Sequence, residues 1–459
     1  MLSEQHFDLI VLGSGIAGQT AATAAAEAGL RVALLEKMDQ LGGSSRMSGG
    51  WFAFSGTPEQ EAEGIEDSTD LFRQDLLEVG NYFNDPALLE AYLANQEGTF
   101  RWLKEHGAEV REVAISSGMS ARRGHNTAIA DVLARLHEAF TAAGGHTYLG
   151  RRGMRLVRNH QSGRVSGVVT NTTDGTEERF TGTIGVVLAT GGFSRGAQLM
   201  KIFAPEQLAA IPYGGKGNTG DGLKMAWKLG AGLADMSFVS GTYGSHPATG
   251  DEFHELLTAY YMGAIIVNKS GKRFVDESQD YKTLGRVVLN QPEGLGFEIF
   301  DALVRAQSHR GMPLKDMDTL EDIGHLHKAD TLGELAGIAG IDSAGLVATV
   351  ERYNTAVATR AEDEVGRTSL CNGQGDLVPI MQAPFYAYPA KSLMTTTYCG
   401  ITINSDGQVL DIDRQIISGL YAIGEVTGGF HGAAYMTGTS LGKGAVFGRI
   451  VAQHVAAMT

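Results

Sequence analysis

Apolar positions at the beginning and end of this chain fall in short runs bounded by turn residues, glycine above all. Leu9 to Leu12 is such a run and meets Gly13-Ser-Gly15-Ile-Ala-Gly18; an alanine-rich segment continues to Glu27, and after Gly29 a second run ends at Glu36. Short apolar runs bounded by turn signals predict buried strands, and the alanine-rich stretch between them predicts a helix. Ile184 to Phe193, IGVVLATGGF, reads as another buried strand breaking into a turn, Leu420 to Gly428, LYAIGEVTG, as a third, and Ser440 through Ala457 as the final helix. The middle of the chain is different. Residues 315–340, KDMDTLEDIGHLHKADTLGELAGIAG, read as charged helices, and Tyr260 and Tyr261 stand just before a strand. No fixed-period repeat is visible.

The order strand, glycine turn, helix, strand gives the first turn a chemistry. Gly13 allows a sharp bend, Gly15 lets the backbone approach a pyrophosphate, and Gly18 lets helix and strand pack closely; with Ile16 and Ala17 they open a helix whose free N–H groups face phosphate. Glu36, followed by Lys37, ends the second strand about 20 residues on, where a carboxylate accepts ribose hydroxyls and repels a 2′-phosphate. The segments beyond Glu36 indicate FAD over NAD. A second loop, LGGSSRMSGG, offers Gly43, Ser44, Ser45, Ser48, Gly49 and Gly50 to an extended cofactor. Ala189, Thr190, Gly191 and Gly192 close the third strand in the manner of many flavoproteins, and Glu425 after Gly424 is placed to hydrogen-bond a ribityl chain. Ser440 and Leu441 open the last helix, whose amino end would stabilise a reduced flavin's negative charge.

Composition narrows the class. At 459 residues with 43% apolar content, two or three lobes are expected, and 62 glycines against 10 prolines fit a large nucleotide-binding enzyme. A formal charge of −15 argues against nucleic acid and against an anionic membrane surface. The only cysteines, Cys371 and Cys399, form no CxxC or CxxCH, so a disulfide framework, an iron–sulfur cluster and an attached c-type haem are unsupported, and no metal ligands are assigned. No apolar run reaches the roughly 20 residues that span a bilayer. The amino terminus lacks the basic flank and small-residue cleavage site of a signal peptide, and a cytoplasmic home fits best.

Taken together, GSGIAG, GGSSRMSGG, GMSARRGH, ATGGFS, NTGDGLKMAWKLGA, SHPA, GAIIVNKSGKRFVDES, TTTYCGITINSDGQVLD and GEVTGGFHG resemble the flavoprotein family of soluble fumarate reductases, succinate dehydrogenase flavoproteins, urocanate reductases, 3-ketosteroid dehydrogenases and tricarballylate dehydrogenase. The resemblance covers nearly the whole chain. It implies an α/β fold: a Rossmann-like FAD-binding domain, residues 1–240 and 392–459, with an inserted α+β capping domain, residues 241–391, and substrate sandwiched between cap and isoalloxazine. It adds Asp221 of NTGDG to the cofactor residues. The loop GGSSRMSGG has no histidine where respiratory members attach FAD covalently, so noncovalent FAD is expected.

The resemblance also exposes a departure. Where fumarate reductases use arginines to clamp carboxylates and deliver a proton, this chain has Tyr260, Tyr281 and Tyr435, and the acid of the proton relay falls at Leu257, while His246 and His431 are kept. Arginine is permanently charged and suited to carboxylates, whereas a phenol titrates near 10 and acts as a base once its phenolate is stabilised. Losing the clamp argues against a dicarboxylate. A tyrosine at this spacing after FVDES resembles the 3-ketosteroid dehydrogenases, which implies Tyr281 as base, Tyr435 and His431 as partners of a carbonyl or enolate, and Tyr260 as support. Arg122, Arg123 and Arg286 are where a substrate carboxylate would be held. The expected reaction is desaturation α,β to the carbonyl of a cyclic ketone or ketosteroid-like compound, with electrons leaving to a quinone, another flavoprotein or oxygen; the alternative is reduction of an activated double bond, as in fumarate and urocanate reductases.

Overall fold

The computed structural model describes residues 3–116, 118–239, 241–250, 256–312, 314–371, 373 and 375–459. The chain folds as two compact units, one of Met1–Ala204, Gly214–Val239 and Thr396–Thr459, the other of Pro205–Tyr213 and Ser240–Thr395.

The first unit is built on a mixed sheet in the order Gln408–Leu410, Ile416–Ala422, Glu177–Leu188, Ser3–Leu12, Val32–Leu35, His146–Tyr148. Every step is parallel except the first. Strands buried on both faces need continuous apolar runs, which is why Leu9–Leu12, Val32–Leu35 and Val186–Leu188 are all at or near zero exposure. The first strand starts earlier than its apolar run, at Ser3, because its polar half pairs with Glu178 through Gly182 and ladder hydrogen bonds hold it there without burial. Arg152–Arg158 and Val165–Asn171 add an antiparallel meander to the start of Glu177–Leu188.

Register is what assembles the site. Leu12 lies beside Leu35 and Leu188, and Leu188 beside Ala422, so these parallel strands end level. Their carboxyl-terminal continuations, Gly13–Gly18, Glu36, Ala189–Gly192 and Gly424–Glu425, therefore emerge at one carboxyl edge of the sheet, the usual ligand edge of an open α/β fold. Behind that edge the helices Ile16–Glu27 and Thr439–Ala456 pack against each other.

The second unit carries a sheet around the long strand Phe385–Met394, which pairs antiparallel with Leu295–Phe300, Thr242–Ser245 and His327–Ala329 and parallel with Ile211–Pro212; Ile265–Val267 pairs with Leu295–Phe300. Alternation along the strands sends Tyr243, Ile266, Phe300, Tyr388 and Ala390 to one face, with the helix Tyr281–Val288, and Ile265, Val267, Phe297, Ile299 and Ala387 to the other, with Ser343–Thr359. The charged stretch 315–340 holds helices Met317–Asp322 and Leu332–Ala339 as its pattern predicts. Between them His327–Ala329 is a strand, because an edge strand draws its stability from ladder bonds to Phe385–Met394 and needs no apolar alternation of its own.

Candidate active site

At the first glycine turn the backbone is forced. Gly13 has φ +98°, and a Cβ on Gly18 would lie 1.8 Å from the Gly13 carbonyl oxygen, so neither position accepts a side chain. The helix opened by this turn has no side-chain cap. The Ile16 N–H is met by Ser45 Oγ at 3.0 Å. Glu36, 6% exposed, turns one carboxylate oxygen to the Ser14 N–H at 3.0 Å and Ser14 hydroxyl at 2.6 Å, and the other to the Met38 N–H at 2.9 Å. The acid that the sequence assigns to a ribose thus also braces the glycine loop.

Across the same edge, Glu425 accepts from Asn218 Nδ2 at 2.9 Å and from the Thr397 N–H at 2.9 Å, while Ser44 Oγ accepts from the Gly215 N–H at 2.9 Å. Lys37 and Asp221 pair at 2.8 Å, and Arg152 also binds Asp221. Burial raises the Asp221 carboxyl, but the hydrogen bonds and charges of Arg152 and Lys37 win and hold it below the usual carboxylate range. Ser48 and Gly49 are exposed, Gly50 is buried, and Ser440 and Leu441 open the last helix, which starts at Thr439 after a left-handed Gly438 and has no side-chain cap. Buried Thr190 Oγ1, Ser194 Oγ and Asn218 Oδ1 have no partner among the described residues. Two helix amino ends whose glycine N-caps supply no side-chain cap, together with the orphaned Thr190 and Asn218 oxygens, match the anionic and hydroxylated parts of FAD. Replacing Glu36 by Ala is expected to lower flavin retention roughly 10- to 100-fold, the worth of one or two charge-assisted hydrogen bonds. The flavin-to-protein absorbance ratio after dialysis checks this, and an unchanged ratio refutes the contact.

Further along the first unit, Tyr435 stacks on Tyr398 at 4.5 Å and 22°, and buried His431 stands edge-on to both at 6.0 Å. Tyr398 escaped selection from the sequence although it sits in TTTYCG; its φ of +57°, rare for a bulky side chain, leaves no trace in residue type. Nearby, the buried ammonium of Lys443 donates to the Thr427 carbonyl at 2.7 Å. Burial pulls its pKa down to about 8, against the opposing charges of Asp235 and Glu425. The unfolded chain, titrating near 10.5, binds more protons between these values, so stability rises with pH from about 8 to 10.5 and the buried charge costs about 3 kcal/mol below that window. Lys443→Met is expected to flatten the rise, leaving the share of Lys282, which burial also brings to about 8. Urea midpoints at pH 7 and 10 measure it; an unaltered slope refutes it.

In the second unit, Tyr281 is the first residue of its helix, half-buried against the face that carries Tyr243, Tyr260 and Tyr388. Asp280 caps that helix through the Lys282 and Thr283 N–H groups, and the Lys282 ammonium lies 5.9 Å from the Tyr281 ring. Tyr261 donates to the Gln279 carbonyl at 2.8 Å, tying the turn before Tyr281 to the core. Tyr260 is fully buried, in the core on which Tyr281 packs. His246 stacks on His325 at 3.8 Å and its Nδ1 accepts the Ala248 N–H at 3.1 Å, so the neutral ring carries its proton on Nε2. Burial, then His325 and His327, lower its pKa to about 4.

Two of the three arginines offered for a substrate carboxylate are held by acids of the protein. Arg123 is fully buried between Asp67 and Asp75, and Arg122 pairs with Glu63. Arg286 is exposed on the last turn of the Tyr281 helix.

The model of the FAD binding domain family matches residues 8–441. The chain is 31% identical to an NADH:fumarate oxidoreductase of Klebsiella pneumoniae, over 98% of its own length and 48% of the relative's, so it spans about half of that protein. It is 29% identical to a 4-oxocyclohexanecarboxylate 2-dehydrogenase of Sinomonas cyclohexanicum, over 98% of this chain and 93% of that one. Among solved structures it resembles the open form of a flavocytochrome c3 fumarate reductase, with a TM-score of 0.87 and 29% identity over 99% of this chain and 78% of the other. A glycine turn, an acid and glycine-opened helices that fit FAD and a family match over almost the whole chain lead to one conclusion: the chain belongs to the FAD binding domain family, among FAD-dependent oxidoreductases related to the fumarate reductases.

Proposed function

We propose that the protein is a dehydrogenase that introduces a carbon–carbon double bond α,β to the carbonyl of a cyclic ketone, with electrons leaving to an external quinone, flavoprotein or oxygen. The observation that carries this is a phenol at position 281, on a helix amino end beside a buried ammonium, where the fumarate-type pattern calls for an arginine. A helix amino end and a nearby cation both favour negative charge. In this reading Tyr281 takes the proton from the carbon beside the ketone, and bound FAD supplies the hydride acceptor. Tyr435 and His431 keep the role the resemblance implies, hydrogen-bond partners of a carbonyl oxygen as it gains charge.

Similarity to the 4-oxocyclohexanecarboxylate dehydrogenase supports a small ring ketone, and Arg286 is the exposed cation on the Tyr281 helix suited to a carboxylate on that ring. The second unit is proposed as the cap, and FAD as noncovalent, since residues 41–50 hold no histidine. A reductase reading has its own support in the fumarate oxidoreductase likeness.

The test is anaerobic bleaching of the visible FAD band by a panel of saturated cyclic ketones, ketosteroids and carboxylates. Rapid bleaching by a ketone sustains the proposal. If none bleaches, and dithionite-reduced enzyme is instead reoxidised by an enone, fumarate or urocanate without oxygen, the reductase reading replaces it.

A further inference from the structure

The stretch 428–433, which carries His431, lies outside any helix or strand. Such a segment has no ladder of its own, so its peptide groups are held by other parts of the chain. Here four hydrogen bonds hold it. Asp235 Oδ2 accepts the Gly429 N–H at 2.6 Å, the Asp85 N–H donates to the Gly429 carbonyl at 2.7 Å, Asn84 Nδ2 donates to the Phe430 carbonyl at 2.8 Å, and the Ala433 N–H donates to the Gly80 carbonyl at 3.0 Å. All but the first come from residues 80–85.

Asn84 is the side chain among these that the fold alone leaves unexplained. It is 7% exposed, its amide makes this single hydrogen bond, and Oδ1 has no partner among the described residues. A buried amide with half its capacity unused is costly, so the bond to Phe430 is what a polar side chain contributes there. The Phe430 carbonyl and the His431 N–H belong to one planar peptide. Asn84 therefore fixes the plane that enters His431, and Gly80 fixes the plane that follows Gly432. The two segments also touch: Gly432 has φ +60°, and a Cβ there would lie 2.5 Å from the Gly80 carbonyl oxygen and 3.0 Å from the Asn84 backbone nitrogen.

Residues 80–85 are themselves firmly placed. Asn81 and Tyr82 are both left-handed, at φ +50° and +60°, a conformation that persists in non-glycine residues only where the surroundings over-determine it. The Tyr82 N–H donates to the Leu77 carbonyl at 2.8 Å, and Asp85 caps the helix Pro86–Glu105 through the Ala87 N–H at 2.9 Å. From this frame the buried His431 ring stands edge-on to Tyr398 and Tyr435, each at 6.0 Å, and to Phe430 at 4.8 Å.

We propose that Asn84 is a positioning residue, which by holding the Phe430 carbonyl keeps His431 directed at the substrate. The proposal rests on the reading of His431 as a hydrogen-bond partner of the substrate carbonyl. Asn84 moves no proton; it acts through His431 alone.

The experiment uses the FAD-loaded full chain with Asn84→Leu, which keeps the volume and removes the donor, with His431→Ala, and with both. Histidine-selective nitrogen labelling gives an imidazole resonance for His431, assigned by its loss in His431→Ala, and Asn84→Leu is expected to shift it. With a cyclic ketone that bleaches the flavin, Asn84→Leu is expected to slow flavin reduction about 10- to 100-fold, the cost of a small misplacement, with substrate affinity little altered. In the His431→Ala background the same substitution should cost nothing more, as for residues acting as one unit. An unshifted resonance overturns the proposal, as does a wild-type rate in Asn84→Leu. Equal slowing with and without His431, the result of a merely structural role, overturns it too. If Asn84→Leu does not fold, Asn84→Ala, which leaves space in place of bulk, runs the same cycle. His431→Ala at wild-type rate is a different failure: it overturns the reading of His431, and the role of Asn84 falls with it. Wild-type enzyme inert to every ketone overturns the proposed reaction itself, with the same consequence for Asn84.

Discussion

Tyr281→Phe is expected to cut turnover by about 10²- to 10⁴-fold, the usual worth of a positioned acid or base, while flavin content and unfolding midpoint stay at wild-type values. The backbone there does not depend on the phenol. The Asp280 carboxylate accepts the Lys282 and Thr283 N–H groups, Tyr261 fastens Gln279, and the ring's packing against the core survives in Phe. Only the hydroxyl is lost. Because a base acts before and during flavin reduction, rapid mixing with a bleaching ketone should locate the loss in the reductive half-reaction, with substrate affinity little altered. Near-normal bleaching by the variant would remove Tyr281 as the base and move attention to the Tyr398, Tyr435 and His431 cluster.

Much of this site was legible in residue order because its constraints are local. A glycine that must adopt φ +98°, strands buried on both faces and an acid at a strand end each leave a mark in one residue type at one spacing, so the nucleotide edge could be read directly. What stayed hidden depends on pairing between distant segments. Nothing near Asp221 tells that Lys37 and Arg152 meet it, nothing in ARRGH tells that Asp67 and Asp75 enclose Arg123, and Glu298 in LGFEIF looks like an outward residue of a strand. Its inward direction depends on which face Phe297 and Ile299 occupy, and that is fixed by the sheet's partners on each side. Tyr260 shows the same limit: the resemblance offers it as support, and nothing in LLTAYYMG tells that it is fully buried.

A second large effect is expected at Arg273. Its guanidinium, fully buried, makes two bonds to Glu277, at 2.8 and 2.6 Å, and one to Asp363 at 2.5 Å; Glu277 also accepts the Ile266 N–H at 3.0 Å. Arg367, 3.5 Å from Glu277, donates to the carbonyls of Ala264 and Tyr260. The positive and negative charges of this cluster balance. Arg273→Met leaves Glu277 and Asp363 facing Arg367 alone, and breaking a buried pair from one side costs about 3–5 kcal/mol, because an uncompensated charge stays behind. Arg273→Met with Glu277→Gln should cost less than Arg273→Met alone, since it removes the stranded charge with its partner. Hydrogen exchange should quicken in residues 259–300 and leave the strands Ser3–Leu12 and Val32–Leu35 as they were, so flavin stays bound. Activity should fall with stability, because Arg273 and Glu277 pin the KRFVDES stretch that delivers Asp280 and Tyr281 to their helix. A single variant within about 1 kcal/mol of wild type by urea unfolding, or a double variant worse than the single, would mean that the cluster tolerates a stranded carboxylate and that the turn before Tyr281 is held by Tyr261 and the Asp280 cap instead.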